Sequence, residues 1–280
     1  MSRSVVLQGC SRCPGCELPP RWCICSVQRQ EACPVLVDIL QHNHEARRPS
    51  STGNLIPRVV GGARVHSFRH ERPLVRAEIL RPEACELWIL HPAGEALPTN
   101  PPPLETLQIL LLDASWGQAG GMLDQVQDWG RPVRLPMTGP SRFALRAQNG
   151  EDRFSTFEAL LFLLAALGQT DLAARLRLQF ELHVYGGLTS RGRKHEAAAY
   201  LGDSPIRTAF PELLAEYARR RPNPDAANPT APRPSRMPEI TFPLNYMAHW
   251  APSVSLTLSQ AQAKPPSNRM LPRRAIGPLQ

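Results

Sequence analysis

Two sets of residues have the types and spacing for chemistry. The first is Cys13-x2-Cys16-x6-Cys23-x-Cys25, two thiol pairs within one short stretch. Tetrahedral zinc takes four sulfurs at about 2.3 Å, and C-x2-C delivers two of them from a single turn. The C-x-C pair is tighter than a standard knuckle but can still converge. Cys10 is a spare that could replace one ligand. Four thiolates leave no open coordination position, so such a zinc is structural. The competing reading, reactive or disulfide-bonded cysteines, is the weaker one in a reducing compartment. Cys85 reads as a small buried residue within a strand, and Cys33 as structural.

The second set is an acid at the end of an apolar run, Ile109-Leu-Leu-Leu-Asp113-Ala-Ser115-Trp116. The run reads as a strand buried on both faces. Apolar positions then recur at Trp116, Ala119, Met122, Leu123 and Val126, which is helical spacing. Ligands of open α/β sheets bind outside the carboxyl ends of strands, where Asp113 would sit. A carboxylate at an apolar joint is a better base than one in water. The bland alternative is that Asp113 caps the helix. Ser115 can serve as that cap and free the acid, with Trp116 as the helix's core anchor. Gly117, Gly120 and Gly121 weaken an ordinary helix and make sense where something approaches the backbone closely.

Four further segments carry charge or hydroxyl groups near element ends. The loop His42-Asn-His44-Glu45-Ala-Arg47-Arg48 continues to Ser51-Thr52-Gly53; its histidine spacing is not a metal pattern, and anion contact through Arg47, Thr52 and backbone amides fits better. Pro140-Ser141-Arg142-Phe143-Ala-Leu-Arg146 is a second such loop. Ser155-Thr156-Phe-Glu158 is a capping box ahead of an apolar run. Arg191-Gly-Arg193-Lys194-His195 is a basic loop, suited to phosphate or to plain solvation.

These groups need a scaffold. Strands are expected at Val35–Gln41, Val65–Phe68, Ala84–Leu90, Pro132–Pro136 and Phe143–Ala147, besides the one ending at Asp113. Ser51 or Thr52 would cap a short helix reaching Val60. Further helices are expected from Ser155 to about Leu167, apolar nearly all round and therefore central, over Asp171–Val184, and over Pro205–Arg220. Strands alternating with helices point to an α/β fold with a mostly parallel sheet flanked by helices. Three regions follow: a zinc-binding N-terminal module over 1–33, a catalytic domain over 34–220, and a Pro-rich basic tail over 221–280, expected to be disordered. The net charge of +8 hints at an acidic partner. The tail carries seven Lys/Arg against two acids, so it holds +5 of that total and a basic patch on the body must be argued locally. No apolar leader precedes the cysteines, and the run Leu160–Leu167 is far short of the roughly 20 residues that span a bilayer. A cytoplasmic protein with no membrane contact is expected. The oligomeric state is not fixed by the sequence, and a monomer is entertained.

Taken in order, the motifs resemble the DTW-domain family. They are the cysteine cluster, Leu40-Gln41-His42 with Glu45-Ala-Arg47 and Thr52-Gly53, His91-Pro92, Leu112-Asp113-Ala-Ser115-Trp116-x-x-Ala119, Pro140-Ser141-Arg142-Phe-x-Leu145-Arg146, and Ser155-Thr156-x-Glu158-Ala159. Together they cover roughly residues 10–200. Ser115 stands where the namesake triplet has Thr and keeps the hydroxyl. Gly117 and Gly120–Gly121 replace residues more often basic or polar in the family. The resemblance implies a SPOUT-like, knotted α/β core that binds S-adenosylmethionine. It implies transfer of the 3-amino-3-carboxypropyl group to N3 of a uridine in tRNA, releasing methylthioadenosine. By the same resemblance Asp113 is the base that takes the uridine proton, or else the holder of the cofactor's ammonium. Cofactor contacts are then expected from Thr52, Gly53, His91, Pro92, Ser115, Trp116, Ser141, Arg142, Ser155, Thr156 and Glu158. Arg47, Arg146, Arg191, Arg193 and Lys194 are candidates for tRNA phosphates. A methyltransferase on the same cofactor, transfer to ribosomal RNA, and a non-catalytic zinc-ribbon RNA adapter are the competing readings.

Overall fold

The computed structural model describes residues 11–146 and 153–219. The expected tail over 221–280 and the spare Cys10 lie outside the described residues. Five strands form one fully parallel sheet in the order β2-β1-β4-β3-β5. They are β1 (Leu36–His42), β2 (Arg64–Phe68), β3 (Glu86–Ala96), β4 (Leu107–Asp113) and β5 (Arg131–Arg134). The helices are α1 (Asn43–Ala46), α2 (Ile56–Val59), α3 (Arg76–Ile79), α4 (Trp116–Val126), α5 (Thr156–Ala166), α6 (Thr170–Ser190), α7 (Lys194–Gly202), α8 (Ile206–Ala209) and α9 (Pro211–Ala218).

Parallel strands buried on both faces read as continuous apolar runs, which is what β1 and β4 show. Alternation then sorts their side chains. Val37, Ile39, Trp88, Leu107, Ile109 and Leu111 face a core built with α2, α5 and α6. Leu40, Leu87, Ile89 and Leu110 face the opposite side, against Ile79 of α3 and Met122, Leu123 and Val126 of α4. Helix α5 is central, with Phe157 and Leu160 through Leu164 all buried, and Phe157 stacks on Phe180 of α6 at 5.2 Å. The cysteine module packs on the far side of α6: Leu18 and Ile24 share a core with Leu178, Leu182, Ile206, Phe210, Leu213 and Tyr217. Tyr217 donates to the carbonyls of Trp22 (2.9 Å) and Cys23 (3.0 Å). Among the described residues no helix is long and apolar enough to cross a membrane.

Several local expectations need correction. Residues 144–146 form a turn and bend and Phe143 is irregular, so no strand forms here, while Ala147 lies outside the described residues. The short helix before Val60 is one turn, and its N-cap is Leu55 with no side-chain bond; Ser51 and Thr52 are used elsewhere. Helix α6 runs on to Ser190 through Gly186 and Gly187, which pack within it against Leu18 and Leu145, where a Cβ would collide at 2.7 Å. Lys194 opens helix α7, so only Arg191–Arg193 remain as the basic turn. The last helix breaks at Phe210–Pro211, as a proline at the first helical position allows. Strand β3 continues past His91 to Ala96, its register against β5 shifting between Leu90 and Glu95, and Cys85 is exposed ahead of it.

The largest feature absent from the sequence reading is a buried polar cluster near the amino ends of β1 and β4. Asp38, fully buried, accepts from Arg81 Nε (2.7 Å) and Gln108 Nε2 (3.0 Å) and lies 2.7 Å from His66 Nε2. Arg81 also donates to the carbonyls of Val37 and Gly62. A buried charge survives when paired and hydrogen-bonded, which this arrangement provides.

Candidate active site

Gln41 and Asp113 are register partners at the carboxyl ends of neighbouring strands β1 and β4. Both therefore point to the α5 face of the sheet. Gln41 Nε2 donates to Asp113 Oδ2 at 2.9 Å. Ser51 Oγ donates to the same oxygen at 2.7 Å, and Thr156 Oγ1, in the first turn of α5, donates to Oδ1 at 2.7 Å. The carboxylate is 4% exposed and sits in a polar cradle of three neutral donors, not in the apolar joint expected. A carboxylate offers about four lone-pair sites, so one remains for a further proton donor. Gly53 closes the cradle from below: a Cβ there would lie 2.2 Å from Asp113 Oδ2 and 2.4 Å from its Cγ. Gln41 is itself fixed by Asn54 Oδ1 at 2.8 Å. Gln41 and Ser51 were missed as partners of the acid; their one sequence signal is a polar residue at the end of an apolar strand beside a Ser-Thr-Gly turn.

Ser115 is the N-cap of α4 and pairs with Gln118 through its hydroxyl (2.7 Å), which leaves Asp113 free of capping duty. Trp116 is not a core anchor. It is 40% exposed and forms a wall, with the guanidinium of Arg153 5.5 Å from its ring. A Cβ on Gly117, Gly120 or Gly121 would meet no protein atom within 4 Å, so this side of α4 is open.

Two joined cavities lie beyond the strand ends. One, about 410 Å³, is largely apolar, with Leu90, His91, Pro92, Leu112, Val133, Leu135, Met137 and Ala159 in its walls. The other, about 430 Å³, is polar, with Glu45, Arg48, Ser50, Thr52, Asp113, Ser115 and Arg146. Ala114, Trp116 and the segment Arg153–Thr156 belong to both. Burial holds His91 below its ordinary pKa, toward the neutral imidazole. In the polar cavity Glu45, itself buried, accepts from Arg48 Nη1 at 2.6 Å and Arg146 Nη2 at 2.7 Å, and Arg146 Nε donates to Ser50 at 3.0 Å. Two guanidiniums against one carboxylate leave a net positive rim.

The other expected site residues divide. Thr52 Oγ1 accepts from Phe157 N at 3.3 Å and lines the polar cavity. Glu158 is fully buried and works as a clasp. It accepts from Ser155 N (2.7 Å), Ser155 Oγ (2.8 Å), Ser141 Oγ (2.9 Å) and Arg142 N (2.6 Å), tying the 140–146 loop to the start of α5. Burial pushes the Glu158 carboxyl above its usual range. Ser141 and Glu158 are thus spent on each other and do not line either cavity. Arg142 points away from the cleft to Glu181 (3.3 Å) and the Tyr200 carbonyl (3.0 Å), with its guanidinium 4.2 Å from the Tyr200 ring centroid. Arg191 donates to the Leu145 carbonyl, and Arg193 to the Ala144 carbonyl and to Glu196. Arg47 and Lys194 are exposed.

At the cysteine cluster, the ligand sulfurs of Cys13, Cys16, Cys23 and Cys25 all lie within 4.8 Å of one another. Three pairs stand at 3.5, 3.6 and 3.8 Å. A tetrahedron with 2.3 Å bonds has sulfur–sulfur edges of about 3.8 Å, so the four thiols fit a metal ion. Gly15 is required beside them, since a Cβ would fall 2.7 Å from Cys25 Sγ. Burial pushes the Cys23 thiol up to about 11 in the absence of a cation, and Cys25 higher still. His42, His44 and Glu45 do not form such a group; among the described residues the cysteines alone do.

No solved structure matches the chain. The family model for the DTW domain matches residues 10–186, a span that takes in the four cysteines, the Asp113 cradle and helix α5. The chain belongs to the DTW-domain family.

Proposed function

We propose that this protein transfers the 3-amino-3-carboxypropyl group of S-adenosylmethionine to N3 of a uridine in tRNA, releasing methylthioadenosine. Family membership is consistent with a tRNA-modifying role. One observation carries the finer reading: an apolar and a polar cavity meet at Ala114–Trp116, with a cradled carboxylate, Asp113, at the polar side of the joint. S-adenosylmethionine has the same division, an apolar adenine at one end and a zwitterionic amino acid at the other. Leu90, Leu112, Val133, Leu135 and Met137 offer the walls for the base. Arg146, which meets Ser50 and pairs with Glu45 in the polar cavity, would have to share its guanidinium between Glu45 and the cofactor's carboxylate, and Asp113 has one acceptor site left for the ammonium or for the N3 proton.

The sulfonium supplies electrophilic carbons, and the reactive one is the carbon held in line with the nucleophile. During transfer the C–S bond breaks with its electron pair going to sulfur, the C–N3 bond forms, and the N3 proton leaves to a base. The chain's residues act by orientation: Trp116 and Phe154 bound the joint, while Gln41, Ser51 and Thr156 fix Asp113. Zinc on Cys13, Cys16, Cys23 and Cys25 is structural in this reading. The SPOUT-like, knotted chain path and a cytoplasmic location form its remaining parts.

Nucleoside mass spectrometry of tRNA incubated with the protein and labelled S-adenosylmethionine tests the proposal. Aminocarboxypropyluridine with methylthioadenosine supports it. Methylated nucleoside with adenosylhomocysteine replaces it with methyl transfer. Label in ribosomal RNA alone moves the acceptor, and no cofactor binding by calorimetry leaves an RNA adapter. Asp113→Asn then separates the two roles of the acid: retained cofactor affinity without turnover identifies the base, and lost affinity identifies the ammonium ligand.

A further inference from the structure

The basic residues around the site are unequally available. Arg48 and Arg146 are spent on Glu45, Arg142 on Glu181, Arg193 on Glu196, and Arg191 on a backbone carbonyl. Arg47, at the C-cap of α1, and Arg69, just past β2, are exposed and make no ion pair among the described residues. Their chain neighbours include a group of three imidazoles. His42 is buried at the end of β1, and exposed His44 and His70 stand edge-on to it at 4.9 and 5.8 Å between ring centroids. His70 also lies edge-on to Phe68 at 5.1 Å, so its ring is braced from two sides. Helix α1 contributes to both this group and the cleft: Glu45 lines the polar cavity, while neighbouring His44 meets the His42 ring. His42 also approaches Gln118 of α4 at 3.5 Å, directly behind the Ser115 cap. The acids in reach are Glu45, already paired, and exposed Glu71.

We infer that the end of β2 and helix α1 form the track for the RNA strand next to the reacting nucleotide, with His44 and His70 as stacking surfaces and Arg47 and Arg69 as phosphate contacts. This rests on the RNA-modifying reading above. Unpaired guanidiniums give up no internal ion pair when they meet a phosphate, whereas Arg193 would have to release Glu196 and Arg191 its backbone carbonyl. Bases of a single-stranded loop stack on flat side chains, imidazole included. A braced ring loses little freedom on stacking. Helix α1 borders both the track and the cleft, through His44 on one and Glu45 on the other.

The test is the affinity of unmodified tRNA for the full chain and for Arg69→Ala/His70→Ala, across a salt series, with S-adenosylmethionine affinity measured alongside by calorimetry. The double variant should bind tRNA about ten-fold more weakly, with the log–log salt slope reduced by about one, and bind the cofactor normally. Arg47→Ala, at an exposed position, should lower the slope by a similar step and guards against misfolding of the double variant. Arg131→Ala on β5, at the opposite sheet edge, should leave the slope unchanged. Unaltered affinity and slope in both track variants would overturn the inference. Its fate is separable from that of the catalytic proposal: weaker binding without any transfer supports the track and sinks the reaction, while transfer with unaltered binding does the reverse.

Discussion

Gly53→Ala is the sharpest probe of the Asp113 cradle. The Gly53 backbone is not in the left-handed region, so alanine is conformationally acceptable and the obstacle is steric alone. The new Cβ would stand 2.2 Å from Asp113 Oδ2. Carbon contacts settle near 3.5 Å, so the carboxylate must retreat by roughly 1.3 Å. Its bonds to Gln41, Ser51 and Thr156 are 2.7–2.9 Å long, and such a shift takes at least one of them out of range. Overpacking of this kind costs about 1–3 kcal/mol. At roughly 2–4 °C per kcal/mol for an ordered body of this size, Tm should fall by about 2–12 °C. A displacement near 1 Å at a catalytic group costs about a hundred-fold in rate. The assays are thermal melting and, for the proposed reaction, transfer of labelled aminocarboxypropyl to tRNA. In an Asp113→Ala background the colliding Oδ2 and Cγ are gone and only the Cβ contact at 3.0 Å remains, so the alanine at 53 should then cost clearly less stability. Wild-type kcat/KM in Gly53→Ala, or an equal stability cost in both backgrounds, would refute the steric argument.

Other outcomes follow from the same geometry. Chelation, or Cys16→Ser, should remove one equivalent of zinc and lower Tm, because the module shares its core with α6, α8 and α9; metal analysis and melting check this. Arg81→Leu leaves buried Asp38 with only His66 and Gln108 and should cost about 3–5 kcal/mol in urea unfolding. Glu158→Ala removes a capping box and frees the 140–146 loop, so a stability loss of about 0.5–2 kcal/mol is expected in urea unfolding. His183 is fully buried with neither ring nitrogen bonded among the described residues, and burial with Arg58 and Arg191 nearby pushes it down to about 3. The unfolded chain protonates His183 below about 6.5 and the folded one does not until about 3, so stability falls as pH drops through that window. The slope is at most about 1.4 kcal/mol per pH unit, and His183→Leu should show a flatter acid limb in urea titrations.

The sheet was legible because burial on both faces leaves a plain mark, an apolar run bounded by turns, as in Val35–Gln41 and Ile109–Leu112. The cysteine cluster was legible from spacing alone. The α5 capping box was legible too, although its glutamate holds a loop as well as a helix end. The Asp113 cradle was only half visible: the acid stands out at the end of β4, but Gln41, 72 positions earlier, becomes its partner only through strand register. Trp116 was misjudged because helical spacing marks an apolar stripe without saying which end of the stripe meets solvent. Helix α7 was missed since Arg191–His195 reads as a charged loop, and nothing local shows that two of its arginines fasten backbone carbonyls of a distant turn.

The strand order carries a consequence for how the chain is made. β4 lies between β1 and β3, so those two strands meet only through a segment synthesised after both. Val37 waits for Ile109 before its inner edge is covered. Until then a nascent chain holds an unpaired parallel edge rich in Val, Ile and Leu, the kind of edge that recruits other chains. Helices α5 and α6, which cover one sheet face, emerge later still. The stretch ending in Asp113 is therefore also the piece that joins β1 to β3, with β5 added afterwards at the edge. Ribosomal stalling or truncation ahead of it should yield aggregation and chaperone dependence, whereas a stop just after α6 should yield far less.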